Sequence, residues 1–267
     1  PLKKHTQGQQ VRQMLIHNDL LYYTSFGSLK SYNFKTQELK SYKKREGSQR
    51  ITHATTLFVD NSNRLWVGVH DGVALYDPAT DQFKRFGFEK NASRPLGSYF
   101  MILSIHEFMG KLWIGSFNDG LWTLDLSSLN NPVITNVSKT RDIQNMTVYS
   151  TLPDDTGNIW MSTNAGITKY NPQTDQYLDF TVSEGLQQDE FNRLAFTQCL
   201  NGDIVYGGIN GLNIFNPKNM TIEEGDYTPR FLDVSVFDEE FNRDIPVRID
   251  TAKAFSLAYD QNDIDIS

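Results

Sequence analysis

One fourteen-residue stretch, LWVGVHDGVALYDP at 65–78, constrains what this chain can fold into, because it returns. IWMSTNAGITKYNP at 159–172 matches it without a gap, and IVYGGINGLNIFNP at 204–217 does so again. The copy from Leu112-Trp113-Ile114-Gly115 to Gly120-Leu121-Trp122 carries one extra residue in its turn, and Leu21 to Asn33 is the most eroded. The aromatic-or-Val position steps from Tyr22 to Trp66, Trp113, Trp160 and Val205, with spacings of 44, 47, 47 and 45. A period in the forties with several short strands per unit predicts β-propeller blades, none of which can bury its faces without neighbours.

The second unit shows the strand logic in full. Thr55 to Asp60, Leu65 to Val69, Val73 to Tyr76 and Gln82 to Phe86 are its four expected strands. Corresponding first strands are Val11 to Ile16, Met101 to His106, Thr147 to Leu152 and Arg193 to Leu200. Gly72, Gly120, Gly166 and Gly211 fall at tight hairpins, where the backbone needs the positive φ that glycine adopts without strain. Asp77-Pro78, Asn171-Pro172 and Asn216-Pro217 end the strand after the aromatic. Trp66, Trp113 and Trp160, with Gly68 and Gly115 nearby, read as architecture where blades press together. The chain is therefore expected to be all-β: five four-stranded blades within 1–222, a polar linker at 223–228, and the first strands of a second β domain over 229–267. Pro229 to Phe237, Phe255 to Tyr259 and the stretch from Ile264 are the strands of that second domain.

Composition removes several function classes. A net charge of -7 argues against nucleic acid, whose phosphates need a basic face, and gives no reason to expect an anionic membrane surface. Cys199 is the one cysteine, so no internal disulfide can form; its apolar strand predicts a buried small hydrophobe. No apolar run is long enough to span a bilayer. No signal peptide is seen, and the start at Pro1 reads as that of an excised piece. The five histidines lack metal spacing, and no phosphate loop, nucleophile elbow or zinc signature occurs, so neither metal nor cofactor is expected. Asp154 and Asp155 are neighbours on an extended chain, hence on opposite sides, and make a poor acid/base pair.

What remains is one face of the propeller. The glycine hairpins bring Phe26, His70, Asp71, Phe117, Asn118, Asp119, Asn164 and Asn210 to a common rim, joined by the longer connections Lys43 to His53, Gly87 to Tyr99 and Val182 to Asn192. Aromatics beside amides and carboxylates suit a sugar, whose C–H face stacks while its hydroxyls form hydrogen bonds.

The repeats LWVG…DGV…LYDP and IWMSTNAGI…YNP resemble the two-component regulator propeller repeat. SEGLQQDEFN at 183–192 followed by NGDIVYGGING at 201–211 is similar to that family's last blade. LAYDQNDI at 257–264 is similar to the opening of its Ig-like β-sandwich domain. The resemblance implies a periplasmic sensor region of a Bacteroides-type hybrid histidine kinase, with the five blades part of a ring of about seven. It further implies a non-enzymatic chain that binds an oligosaccharide, within a membrane-anchored parent that dimerises. A secreted propeller glycan lyase or glycosidase, and a protein-interaction scaffold, are the alternative readings.

Overall fold

Strands whose side chains are apolar on both faces must be covered on both, and the repeat supplies that cover by stacking sheet on sheet. The computed structural model describes residues 10–25, 28–42, 51, 53–88, 101–140 and 147–220, and the strand segments 234–238, 243–246 and 264–266. The chain divides into two compact units, Pro1–Met220 and Thr221–Ser267.

The first unit is a row of five antiparallel blades. Blade 1 comprises β1 (Val11–His17), β2 (Leu20–Ser25), β3 (Ser28–Asn33) and β4 (Leu39–Ser41). Blade 2 comprises β5 (Thr56–Val59), β6 (Leu65–Val69), β7 (Gly72–Asp77) and β8 (Gln82–Gly87). In blade 3 they are β9 (Met101–Phe108), β10 (Lys111–Phe117), β11 (Leu121–Asp125) and β12 (Ile134–Asn136). Blade 4 follows with β13 (Val148–Pro153), β14 (Ile159–Thr163), β15 (Gly166–Asn171) and β16 (Gln176–Phe180). Blade 5 has three strands among the described residues, β17 (Phe191–Gln198), β18 (Ile204–Gly208) and β19 (Gly211–Phe215). Among the described residues, helix is confined to single turns such as Val137–Thr140. The first strands β5, β9, β13 and β17 contact one another in sequence and line the axis.

Each pair of adjacent blades shares one apolar core. Tyr22 and Leu29 of blade 1 meet Leu65, Val67 and Val69 of blade 2. The alternate residue, Trp66, turns to the other face and packs with Ile102, Leu112 and Ile114 of blade 3. Trp113 likewise faces Val148, Ile159 and Met161 of blade 4, and Trp160 faces Phe191, Ile204 and Tyr206 of blade 5. The period of two within a strand thus becomes the period of blades along the chain.

Glycines serve two purposes here. At Gly72 (φ +147) and Gly166 (φ +105) the hairpin needs a positive φ, and the fourth strand runs so close that a Cβ would lie 2.1 Å from the Phe86 or Phe180 carbonyl oxygen. Gly68 and Gly115 instead allow the next blade to approach: a Cβ would lie 2.9 Å from Ile102 Cγ2 and 2.6 Å from the Val148 oxygen, respectively. Blade 4 has Ser162 at this position, and its hydroxyl meets that of Ser150 at 2.8 Å.

The outer faces of the row differ from the inner ones. Met14 and Ile16 of blade 1 are 65% and 68% exposed, and Ile209, Leu212 and Ile214 at blade 5 are 62%, 56% and 61% exposed. Cys199 does not fit its expectation either. β17 ends at Gln198, and Cys199 lies exposed in the following turn, its N–H donating to the Asp203 carbonyl at 2.8 Å.

The second unit contains β20 (Val234–Asp238), β21 (Arg243–Pro246) and β22 (Ile264–Ile266), paired antiparallel in the order β21-β20-β22. The strand expected at Phe255 to Tyr259 lies outside the described residues, as do the whole linker at 223–228, Phe26, and most of the connections Lys43 to His53 and Gly87 to Tyr99.

Candidate functional site

Strand register fixes which side chains share a face. Val69 pairs with Gly72, Phe117 with Met101, Thr163 with both Gly166 and Val148, and Gly208 with both Phe191 and Gly211. The hairpins joining second to third strands therefore lie at the same end as the starts of the first strands. His70, Asp71, Phe117, Asn118, Asp119, Asn164 and Asn210 accordingly occupy one face. The turns at 60–64, 109–110, 154–158 and 199–203 occupy the other.

Several of these rim groups are engaged in holding the loops. Asp119 is only 5% exposed; its carboxylate accepts from Lys139 Nζ at 2.7 Å, and its carbonyl accepts from Asn136 Nδ2 at 3.0 Å. Asn164 Oδ1 accepts from the Thr147 N–H at 3.2 Å and so positions the start of β13. Asn210 clamps Gln187, its N–H donating to Oε1 at 2.7 Å and its Nδ2 to the backbone oxygen at 3.2 Å. His70 and Asp71 form a pair, Nδ1 to Oδ2 at 2.9 Å, and the His53 ring lies 5.8 Å from that of His70. Asn118 is exposed, its N–H donating to Thr147 Oγ1 at 3.3 Å. Phe117 is half-buried and sits opposite Met101, on the strand next to the axis.

At that axis the structure adds residues that the repeat pattern did not single out. Arg12 of β1 and Arg193 of β17 both direct Nη1 at the Met101 sulfur, at 3.8 and 3.7 Å. Met101 is buried, Arg12 half-buried and Arg193 exposed. Nearby, the Tyr149 hydroxyl donates to Glu190. Its pKa is pushed up by burial first and by Glu190 second, while Arg193 opposes the shift. Repeat reading is blind to these arginines because they do not recur; only their convergence in space makes them a group.

Deeper along the axis His106 of β9 is walled by Phe58 (ring centroids 5.6 Å apart), Phe196 (6.0 Å) and the Thr151 hydroxyl (3.4 Å). The residue keeps partial exposure, but protein surrounds the ring, and desolvation lowers its pKa to about 4. It is neutral at physiological pH. Among the described residues no three His, Cys, Asp or Glu side chains come together as a metal site, and no helix is long and apolar enough to cross a membrane.

The opposite face carries an anchor that the sequence reading passed over. Asp154 Oδ1 accepts from the N–H groups of Thr156 (2.8 Å) and Asn158 (2.9 Å), and Oδ2 accepts from Trp160 Nε1 at 2.8 Å. Asp60 is the blade 2 equivalent, accepting from the Arg64 N–H at 2.8 Å and from Trp66 Nε1 at 2.7 Å. The recurrence of Asp six residues before Trp was the available signal. Asp155, beside Asp154, is exposed and pairs with Lys218 at 3.0 Å, so the two carboxylates do part to opposite sides.

No family model matches the chain. It is 24% identical over 226 residues to "Histidine kinase P4" of Formosa agariphila, covering 81% of this chain and 16% of that protein. Among solved structures, it superposes on BT3049 from B. thetaiotaomicron, described as the extracellular domain of a hybrid two component system. The TM-score is 0.74 and the identity 22%, over 97% of this chain and 35% of that one. BT4673 from the same organism, described as an extracellular domain of a one component and elsewhere of a hybrid two component system, gives TM-scores of 0.65 and 0.62 at 18% and 17% identity. These matches cover 80% and 84% of this chain and 28% of BT4673 in each case. The chain is thus a run of five propeller blades, similar in fold to extracellular domains from B. thetaiotaomicron and in sequence to one part of a histidine kinase.

Proposed function

We propose that the chain is a ligand-sensing segment from the periplasmic region of a sensor histidine kinase, and that its ligand is an oligosaccharide. The observation that carries this is the 226-residue match to a histidine kinase, which coincides with the propeller fold. The hairpin face supports the ligand class. Phe117 beside the axis offers an aromatic platform, Asn118 follows it as an exposed amide, and Asn164 and Asn210 are exposed on the same face while also tying loops. The chain performs no chemistry of its own in this reading; phosphotransfer belongs to the parent, a homodimer. A bound glycan acts by favouring one arrangement of that parent over another, which requires different affinity for the two.

Calorimetry and product analysis against a glycan panel test this. Saturable binding without turnover is expected. Cleavage of any glycan would replace the sensor with a propeller glycosidase or lyase, and a panel that neither binds nor is cleaved would favour a protein-interaction scaffold.

We also propose that the exposed apolar faces of blades 1 and 5 are covered by further blades of the same ring, about seven in all, in the parent. A longer segment that melts no higher than this chain would remove that idea.

A further inference from the structure

We propose that Arg12 and Arg193 form an anion-binding site at the mouth of the propeller axis, and that the ligand is an acidic oligosaccharide whose carboxylate or sulfate group seats between the two guanidinium groups. This deepens the carbohydrate reading above and rests on it.

The two arginines come from the first strands of the first and fifth blades, far apart in sequence, yet they converge on one thioether of the third. A thioether is a weak, uncharged acceptor and neutralises neither cation. Two like charges held together repel unless a counter-charge intervenes. The protein does not lack carboxylates, with 32 acidic against 25 basic residues. Among the described residues, the ion pairs of carboxylates with Lys or Arg engage Lys35, Lys40, Arg64, Lys139 and Lys218, and neither Arg12 nor Arg193. Glu190, the carboxylate near Arg193, is held by the Tyr149 hydroxyl and forms no ion pair with it.

The residue type narrows the ligand. Guanidinium is a planar fork of fixed N–H donors that fits the paired oxygens of a carboxylate or sulfate, and it stays charged at any pH of interest. Met101 supplies a soft, buried floor beneath the two forks, of which Arg12 is half-buried and Arg193 exposed. Phe117, paired with Met101 across the ladder, places an apolar platform on the adjacent strand. An anion beside a stacking surface describes a charged sugar ring better than a lone ion.

Titration of this chain with four probes tests the proposal: a uronic-acid oligosaccharide, a sulfated oligosaccharide, a neutral oligosaccharide of matched size, and inorganic sulfate. One or both acidic glycans should bind at least about 10-fold more tightly than the neutral one, with affinity falling as salt is raised. Which of the two binds separates carboxylate from sulfate. Arg12→Gln and Arg193→Gln should each weaken that binding by about 10- to 100-fold. Both variants should melt at or above the unsubstituted protein, because each relieves repulsion; a lower melting temperature with unchanged binding would make the arginines structural and overturn the site. Equal binding of neutral and acidic glycans would overturn this proposal and leave the carbohydrate reading standing. Inorganic sulfate binding as tightly as the acidic glycans would overturn the saccharide part of it. Failure of every glycan to bind would remove the carbohydrate reading itself, and this proposal with it.

Discussion

Blades 2 and 4 solve the placement of their tryptophan differently from blade 3. In blades 2 and 4 the indole N–H is held by a buried aspartate that also ties the turn preceding the strand. Blade 3 has a two-residue turn, Met109-Gly110, with no acid, and Trp113 Nε1 donates to the Phe108 carbonyl at 3.1 Å. The indole nevertheless faces the following blade in all three. What the repeat preserves is therefore the apolar contact, while the hydrogen bond is satisfied by whatever acceptor the turn provides. Burial of a large ring is worth more than any single neutral hydrogen bond, which explains that order.

Substitutions can break this comparison at each level. The largest effect is expected at the contact itself: Trp160→Ala should cost about 3–5 kcal/mol in denaturant unfolding, against about 1 kcal/mol for Val205→Ala at the half-buried position of blade 5. Next comes the anchor. Asp154→Ala strands several donors at once and should cost about 3 kcal/mol, whereas Met109→Ala in the blade 3 turn, where the side chain is 46% exposed, should stay within about 0.5 kcal/mol. If the two proved equal, the aspartate would be incidental.

Acid sharpens the same contrast with a smaller effect. Burial raises the Asp154 pKa, but the hydrogen bonds from Asn158, Trp160 and Thr156 outweigh it and leave the carboxyl below its ordinary value. A depressed native pKa gives stability that is complete above the unfolded value of about 4 and lost as pH falls through the native one. Asp154→Asn should therefore flatten the loss of stability on acidification below about pH 4. Smallest at neutral pH is the axial histidine. His106 binds its proton near pH 4 when folded and near 6.5 when unfolded, so its contribution is present above 6.5 and declines as pH falls towards 4. His106→Gln should remove that part of the slope, read from unfolding midpoints at pH 7, 5.5 and 4.5.

The five blades were legible in the sequence because the constraint behind them repeats. The hairpin glycines, the indoles and the Asx-Pro breaks each recur at a fixed register, and their positions place the strands. Cys199 failed because its strand ends at Gln198 and Cys199 opens the following turn, at the position that Asp60 and Asp154 hold in blades 2 and 4. The rim was legible only as a location. Sequence brings Asp119 and Asn210 to the right face, but their commitment to Lys139 and Gln187 depends on loop contacts that leave no periodic trace. Arg12 and Arg193 were invisible for the same reason.

The two outer faces have one more consequence. Met14 and Ile16 belong to one surface, and Ile209, Leu212 and Ile214 to a different one. On the proposal that further blades cover them, each receives a neighbouring sheet, one from each direction. Two copies joined by these surfaces would meet head to tail, leaving a fresh receptive surface at either end. Such heterologous association has no twofold axis at which to stop, and unless the rotation happens to close, it produces open filaments of indefinite length in place of a dimer.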